Sequence, residues 1–422
     1  MVTEVGIGII GLGTIGSGVA EIISKNAALI EKRTGVKIVL KAVCDKSPEK
    51  AGQLGIDKKI FTSNYAEVIG NKEVSVVVEL VGGYEPARTI IMDSISAGKH
   101  VVTANKAVLA KFGYEIFAAA QEKKVNVLFE ASVGGCIPVI KTIEESYSSD
   151  KIQAIYGILN GTTNYILTRM GEGMDYSDAL KKAQELGFAE ANPSFDVEGK
   201  DAAQKISILA SLAFDAKIEG EPFTLGITNI SKKDIEYARE LGYAIKLLAV
   251  ARKDGDAVEL KVHPAMIPLN HIFANVNNEL NAVLLSGKNT GEIFLSGKGA
   301  GKFPTATVVV TDIIEMGSRG RITQRNFEKV KMKPLSQMQS RYFVRFGVID
   351  KPGVLAEITK IFGDASISIA AFSQKEVNKE IVPIVLLTHM AFEEQMAKAV
   401  ALCNKLGVVK EEAVVIRIED FS

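Results

Sequence analysis

The sequence predicts an α/β fold: a doubly wound domain with a parallel sheet, then an α+β domain, then a small ferredoxin-like unit. Up to residue 140, short β-rich runs alternate with helical segments, which is typical of a parallel sheet covered on both faces. Beyond that point the apolar pattern becomes mixed, as in an α+β domain. After residue 340 the predicted elements follow the order β-α-β-β-α-β of the ferredoxin-like arrangement.

The first predicted domain covers residues 1–140 and is completed by a returning helix at 304–318. Its β-rich runs lie at 5–10, 36–44, 74–81, 100–103 and 125–130, with helices at 14–30, 85–97 and 114–123. The second domain, at 141–303, has predicted strands at 152–159 and 258–268 and helices at 177–186, 196–214 and 235–248. A basic, poorly periodic linker at 319–340 leads to the third domain at 341–422.

Composition and charge exclude several classes of protein. Of the 422 residues, 47% are hydrophobic and 24% charged, as in a globular protein with large buried cores. The 50 basic and 50 acidic residues give zero net charge, which argues against a nucleic-acid partner. No apolar run approaches the ~18–20 residues of a membrane helix, and we see no signal peptide. Three widely spaced cysteines form neither a disulfide framework nor a zinc pattern, so we expect a cytoplasmic protein.

A glycine-rich loop, Gly11-x-Gly13-x-x-Gly16, lies between the first predicted strand and the first predicted helix. In a Rossmann-type domain Gly11 permits the tight turn, Gly13 lets the backbone approach a pyrophosphate, and Gly16 allows close packing. The helix N-terminus at Thr14 and Ile15 offers N–H groups to the phosphates. We therefore predict a nicotinamide dinucleotide here; the alternative is a structural turn without a ligand.

Two further segments follow strands at the edge where open α/β sheets bind ligands. Asp45 ends the second strand, where a carboxylate favours the ribose diol of NAD, but Lys46 beside it suits the 2′-phosphate of NADP, so the choice stays open. Thr103, Asn105 and Lys106 follow a later strand. Lys106 is a candidate for charge contact with substrate or cofactor, unless it is a solvated loop lysine.

The segment 188–205 holds the densest cluster of ionisable residues in the chain. Asp201 and Lys205 are four residues apart and share a helix face about 6 Å apart along the axis. Burial disfavours a charged lysine and a carboxylate favours it, so a lysine between these effects suits proton transfer during carbonyl reduction. The alternative is an ordinary surface ion pair worth ~0.3–0.5 kcal/mol.

The loop 130–138 also ends a strand and combines a carboxylate, Glu130, with glycines that expose backbone carbonyls. Such oxygens suit a hard cation, although a glycine-rich crossover between domains explains the same residues. Cys136 in this loop is a candidate nucleophile, but no histidine lies near it in the sequence. This lack argues against a semialdehyde dehydrogenase that forms an acyl phosphate, the second enzyme class considered.

Three segments, 157–167, 188–205 and 297–306, resemble the hallmark segments of homoserine dehydrogenases, and 342–418 resembles an ACT domain. The resemblance implies interconversion of L-homoserine and L-aspartate 4-semialdehyde with NAD(P)H, with a second domain that binds substrate and forms a dimer. It also implies roles for particular residues. Lys205 would donate and accept the proton beside Asp201, Lys106 would lie near cofactor and substrate, and Gly301 would close over the nicotinamide. Substrate contacts would come from Glu190, Asp196, Asn160, Gly161 and Thr162.

The resemblance further implies a sodium site at Glu130, Val133, Gly135 and Ile137. One departure is Asn192 before Pro193, where the family usually has Asp. A non-catalytic amino-acid sensor with the same scaffold is the remaining alternative, but it would require loss of Asp201 and Lys205, which are present.

In the last domain, a turn before a predicted helix suits the carboxylate of a small amino acid. The candidate effector residues are Asp350, Pro352, Gly353, Val354 and Leu355. By resemblance the ligand is threonine, acting as a feedback inhibitor; the alternative is an ACT unit used only for oligomer contacts. We expect a homodimer or homotetramer with small-molecule ligands and no nucleic-acid or membrane partner.

Overall fold

A computed structural model describes residues 2–318, 323–374 and 380–421. The chain divides into two compact units. The first contains Met1–Gly161, Asp201–Glu219 and Glu279–Val330, and the second contains Thr162–Lys200, Gly220–Asn278 and Lys331–Ser422. Of the predicted linker at 319–340, residues 319–322 lie outside the described part. The predicted domain boundaries remain a prediction.

The first unit contains a six-stranded sheet whose paired strands are all parallel, as the alternation predicted. In spatial order the strands are Phe61–Thr62, Val36–Cys44, Thr3–Ile10, Val76–Glu79, His100–Thr103 and Val127–Leu128. The order reverses between Thr3–Ile10 and Val76–Glu79, which is the point where doubly wound sheets open a crevice for a dinucleotide.

Helices between these strands cover the sheet because their apolar stripes have no other surface to pack on. They are Thr14–Thr34, Pro48–Gln53, Tyr65–Gly70, Ala87–Ser96 and Lys106–Lys123. The helix Lys302–Ser318 returns from much later in the chain and buries Ala306, Val309 and Ile313 in the same core as the central strand. It starts slightly earlier than the predicted 304–318.

The rest of the first unit follows the parallel sheet in the chain. The short helical turns Glu130–Ser132, Val139–Lys141 and Thr142–Ser146 lead to the strand Ile152–Ile158. This strand pairs antiparallel with Leu280–Gly287, which in turn pairs antiparallel with Gly291–Lys298. Most of the helix Lys200–Ala213 and the strand Ala216–Glu219 complete the unit.

The second unit begins with the helices that follow the first hallmark segment: Gly161–Gly171, Tyr176–Glu185 and Ser194–Val197. The helix Lys232–Glu240 starts at a capping box in which Ser231 and Asp234 satisfy each other's backbone N–H groups. Two long strands, Tyr243–Asp254 and Ala257–Pro268, then pair antiparallel over their whole length.

The C-terminal part of the second unit has the predicted β-α-β-β-α-β order. Its elements are Gln339–Ile349, Val354–Asp364, Ile369–Gln374, Ile381–Thr388, Glu393–Cys403 and Val409–Ile418, with a short Ala391–Phe392 strand before the second helix. The last strand, Val409–Ile418, lies between Gln339–Ile349 and Ala257–Pro268. Within the unit, the ferredoxin-like sheet therefore continues into the strand pair that precedes it.

Two predicted helices are wrong. The predicted helix 235–248 is a helix that ends at Glu240 followed by a strand, because Gly242 adopts a left-handed φ of 84° and the following residues pair with Ala257–Pro268. The predicted helix 196–214 is interrupted at Gly199, whose φ is 82°. Within the described residues, no helix is both long and apolar enough to cross a membrane.

Candidate active site

The carboxyl ends of four parallel strands align in the first unit. Ile10 is in register with both Cys44 and Glu79, and Glu79 is in register with Thr103. The segments that follow these residues, including the glycine loop, Asp45 and Lys106, therefore emerge at one edge of the sheet.

The glycine loop lies at the switch point of this edge. Gly11 has a φ of 101°, and a Cβ on Gly16 would lie 1.9 Å from the carbonyl oxygen of Gly11, so neither position accepts a side chain. A Cβ on Gly13 would meet nothing within 4 Å, which leaves its backbone open to a ligand. The helix that begins at Thr14 has no side-chain cap and no acidic residue in its first turn. Its N-terminus therefore presents a positive potential to an anion.

Asp45 lies directly against this loop. Its Oδ2 accepts a hydrogen bond from the backbone N–H of Leu12 at 2.6 Å, and its Oδ1 accepts one from Ser47 at 2.9 Å. Partial burial would raise the pKa of Asp45, but these N–H donors and Lys50 hold it below its usual range. Asp45 is thus a charged carboxylate beside the loop, and Lys46 next to it is exposed.

Glu79 was missed in the sequence analysis because it is a single charge in an apolar strand. It is fully buried, and its carboxylate accepts hydrogen bonds from Thr103 Oγ1 at 2.6 Å and from the backbone of Val81 at 2.7 Å. Thr103 Oγ1 in turn accepts from the backbone of Asn105, whose side chain caps the helix that starts at Lys106. Glu79 therefore fixes the segment that carries Lys106.

A buried carboxylate, Asp201, joins two lysines. The ammonium of Lys205 donates to Asp201 Oδ2 at 2.7 Å and to the carbonyl oxygen of Leu159 at 2.7 Å. Asn160 Nδ2 donates to the same Oδ2 at 2.8 Å, and Lys106 Nζ lies 2.6 Å from Oδ1. Burial would raise the pKa of Asp201, but the two ammonium groups hold it well below its usual range.

The two lysines differ in their access to solvent. The side chain of Lys205 is 10% exposed and that of Lys106 is 35% exposed. One buried carboxylate therefore contacts two ammonium groups, of which that of Lys106 is the more accessible. Gly161, next to Asn160, packs so closely that a Cβ there would lie 2.7 Å from the carbonyl oxygen of Glu279.

The second unit contains the remaining candidate substrate residues. Thr162 Oγ1 donates to the carbonyl oxygen of Phe188 at 2.5 Å and lies 3.4 Å from Asp196 Oδ2. Glu190 is exposed in the same loop. Asn192, the departure from the family pattern, accepts hydrogen bonds from the backbone and hydroxyl of Ser194, so its side chain forms the local turn.

The candidate cation loop belongs to the first unit. Glu130 is buried, and its two carboxylate oxygens accept the backbone N–H groups of Ile140 at 2.8 Å and Lys141 at 2.7 Å. Burial raises the pKa of Glu130 to about 8, and these hydrogen bonds offset only part of that rise. The other candidate ligands are buried backbone positions: Val133, Gly135 and Ile137. Within the described residues there is no cluster of three or more His, Cys, Asp or Glu side chains for a metal.

Two other candidate positions are glycine turns before helices. Gly301, in the first unit, is exposed with a φ of 124° and precedes the helix Lys302–Ser318. Gly353, in the second unit, has a φ of 94° and precedes the helix that starts at Val354, where Leu355 is half-buried. Nearby, Asp350 and Pro352 are exposed.

Comparison with known proteins matches three segments of the chain to family models. The homoserine dehydrogenase NAD-binding domain matches residues 11–130, the homoserine dehydrogenase catalytic family matches 138–314, and the ACT domain matches 342–407. A homoserine dehydrogenase of Neisseria gonorrhoeae is 41% identical over 429 residues, covering 98% of each chain.

Solved structures agree with this assignment. A homoserine dehydrogenase from Thiobacillus denitrificans has a TM-score of 0.92 at 40% identity and covers 99% of each chain. A hyperthermophilic archaeal homoserine dehydrogenase in complex with NADPH has a TM-score of 0.65 at 26% identity, covering 76% of this chain and 100% of that one. The chain therefore belongs to the homoserine dehydrogenase family, with NAD-binding, catalytic and ACT domains, and is an NAD(P)-dependent oxidoreductase.

Proposed function

We propose that the chain interconverts L-homoserine and L-aspartate 4-semialdehyde, with Lys205 as the general acid and base. The observation that carries this proposal is the pair of lysines held by one buried carboxylate, Asp201. A bound reduced nicotinamide would supply a hydride to the aldehyde carbon and become oxidised, and negative charge would develop on the aldehyde oxygen. A positioned ammonium group stabilises that charge and completes the reaction by giving up a proton.

Lys205 suits this step better than Lys106. Lys205 is the more buried of the two, and the Leu159 carbonyl and Asp201 fix its ammonium with two hydrogen bonds of 2.7 Å. A fixed, desolvated donor loses little by reorganisation when charge develops. In the oxidation direction the same nitrogen accepts the alcohol proton. Lys106, which is partly exposed, would contact substrate and cofactor from the edge of the sheet.

The substrate carries an ammonium and a carboxylate, so it needs groups of both signs. Glu190 would bind the amino group, and Asp196 with Thr162 would line the site. Asn160 and Gly161 would also contact the substrate, and the Asn160 amide is already oriented by Asp201.

Asp45 would select the nucleotide. Its carboxylate is charged and lies against the glycine loop, which favours a ribose diol over a 2′-phosphate, while exposed Lys46 favours the phosphate. The deciding experiment measures oxidation of NADH and of NADPH with L-aspartate 4-semialdehyde. Turnover with at least one nucleotide supports the proposed reaction, and the two rates show which nucleotide is preferred. Absence of turnover with both nucleotides overturns the proposed reaction.

The loop 130–137 would hold a sodium ion. Glu130 is a buried carboxylate in this loop, and a cation beside it would offset the cost of its burial. The carbonyl groups of Val133, Gly135 and Ile137 would supply the uncharged oxygens that a hard cation accepts. Replacing choline chloride with sodium chloride should raise the melting temperature of the parent chain and leave the melting temperature of Glu130→Gln unchanged. An equal rise in the parent chain and in the variant would exclude this site.

The ACT domain would bind threonine at the turn formed by Asp350, Pro352 and Gly353 and at the helix start, Val354 and Leu355. A Cβ on Gly353 would meet nothing within 4 Å, and the helix N-terminus suits a carboxylate. Threonine should inhibit turnover, and Asp350→Ala should weaken inhibition without altering the uninhibited rate. No inhibition at millimolar threonine, with or without potassium, would overturn this role.

Sedimentation would test the expected homodimer or homotetramer.

A further inference from the structure

The glycine turn at residues 297–301 lies beside the dinucleotide crevice of the first unit. The turn ends at Gly301, where the helix Lys302–Ser318 begins, and Lys302 forms an ion pair with Glu21 of the helix that follows the glycine loop. A Cβ on Gly18 of that helix would lie 3.0 Å from the Cβ of Ala306, so the two helices are in close contact. The turn is therefore anchored on the helix whose N-terminus would face the phosphates of a bound dinucleotide.

Asn281 supports this turn from the neighbouring strand. A Cβ on Gly299 would lie 2.2 Å from Cγ, 2.2 Å from Nδ2 and 2.3 Å from Oδ1 of Asn281. These nearly equal distances mean that Gly299 lies on the flat face of the carboxamide. Only glycine fits there, and the hydrogen-bonding edges of the carboxamide point sideways from the contact.

Neither edge of this carboxamide has a hydrogen-bond partner among residues 2–318, 323–374 and 380–421, although Asn281 is only 1% exposed. Buried amides almost always have partners, because an unpaired donor and acceptor lose their water without compensation. An apolar residue would suit the strand better, since Val283 and Leu285 on the same face are fully buried. The carboxamide of Asn281 therefore lacks the hydrogen bonds that would offset its burial.

We propose that Asn281 is a positioning residue for the glycine turn, and that its carboxamide pairs with a backbone peptide of residues 297–301 when nucleotide and substrate are bound. A peptide group offers both the acceptor that the Asn281 N–H₂ lacks and the donor that its carbonyl lacks. Three glycines, at 297, 299 and 301, give the turn the backbone freedom to shift. This inference rests on the proposed reaction, because the pairing of Asn281 with the turn requires that nucleotide and substrate bind beside it.

The variant Asn281→Leu tests the inference because leucine has nearly the same size and no polar edge. The measurements are the melting temperature without ligand, the melting temperature with NADPH plus L-homoserine, and kcat/KM. NADPH and L-homoserine are both reduced, so they bind without reacting. The matched control is Ser296→Ala, which removes a hydroxyl that donates to the main-chain carbonyl of Asn281 and leaves the carboxamide intact.

We expect Asn281→Leu to keep or raise the ligand-free melting temperature, because it removes an unpaired buried amide. The extra stabilisation by NADPH plus L-homoserine should shrink. The value of kcat/KM should fall about tenfold, as for loss of about one hydrogen bond made only when nucleotide and substrate are bound. Ser296→Ala should stay within twofold of the parent chain in kcat/KM.

Two outcomes overturn the role of Asn281. The first is a kcat/KM within twofold of the parent, and the second is a lower ligand-free melting temperature with an unchanged ligand response. If Asn281→Leu does not fold, the same measurements on Asn281→Ala decide the matter by its ligand response. A parent chain that oxidises neither nucleotide refutes the proposed reaction, whereas parent turnover that the variant retains refutes only the positioning role.

Discussion

Replacing Lys205 by methionine tests the central step of the proposed reaction. Methionine keeps most of the side-chain volume and removes the ammonium group. Loss of a general acid lowers turnover by about 10²–10⁴-fold, which corresponds to about 3–5 kcal/mol of the activation barrier. The nucleotide should still bind with nearly parental affinity, because the glycine loop makes no use of this side chain.

The cost of Lys205→Met to stability follows from the contacts of Asp201. Removing one partner of a buried ion pair costs about 3–5 kcal/mol when the remaining charge has no other partner. Here Asp201 keeps Lys106 at 2.6 Å and Asn160 at 2.8 Å, so we expect about half of that, about 2 kcal/mol. A loss of this size leaves a typical domain folded, and the fall in turnover then reports the chemistry.

The assay combines kcat, the Kd of NADPH or NADH by fluorescence titration, and urea unfolding. Lys200→Met is the matched control, because Lys200 lies at the start of the same helix but is exposed and pairs with Glu198. The control should keep kcat within twofold. If Lys205→Met keeps kcat within a few-fold of the parent, or if it loses nucleotide affinity in proportion, the assignment of the proton donor is wrong.

Three further predictions concern cofactor binding and pH. Asp45→Ser should raise the ratio of kcat/KM for NADPH to that for NADH about tenfold, the effect of about one charge contact; an unchanged ratio in steady-state assays would contradict this. Gly16→Ala should weaken NAD(P)H binding at least tenfold in titrations, since its methyl would lie 1.9 Å from the carbonyl oxygen of Gly11; parental affinity would disprove the close contact. Burial lowers the pKa of Lys246 from 10.5 to about 8, so between these pH values the unfolded chain holds a proton that the folded chain has released. The free energy of unfolding should therefore rise by up to about 3 kcal/mol from pH 8 to 10.5. Lys246→Met should abolish that rise in urea titrations, and a variant with the parental slope would refute it.

Local patterns predicted the elements whose signals do not depend on distant residues. The alternation of strands and helices was enough for the parallel sheet, and the β-α-β-β-α-β order was enough for the C-terminal unit. Asp201 and Lys205 are four residues apart on one helix, so their proximity follows from helix geometry. The sequence alone could not place Lys106 against the same carboxylate, because that contact depends on how distant strands and helices pack.

The wrong helix at 235–248 and the overlooked Glu79 have the same cause, which is pairing between distant strands. The apolar spacing in 235–248 is compatible with a helix, but pairing with Ala257–Pro268 and the left-handed Gly242 make its second half a strand. Glu79 reads in the sequence as a single charge that interrupts an apolar run, and its hydrogen bond to Thr103 exists only because two strands are in register. In both cases the structure depends on pairing between strands that are distant in the sequence, and a local apolar pattern gives no information about such pairing.

The position of the strand Val409–Ile418 affects how the second unit can be made and dissected. It is the last of its sheet along the chain, yet it lies between Gln339–Ile349 and Ala257–Pro268. During synthesis those two strands leave the ribosome first. The edge of Gln339–Ile349 and the residues Ala265 and Met266 then stay unpaired and open to misassociation until the final strand inserts. A variant shortened at its C-terminus would carry the same open edges permanently. If such a variant were no longer inhibited by threonine, misassembly would explain the loss as well as removal of a binding site would. Point substitutions therefore separate regulation from folding more clearly than truncation does.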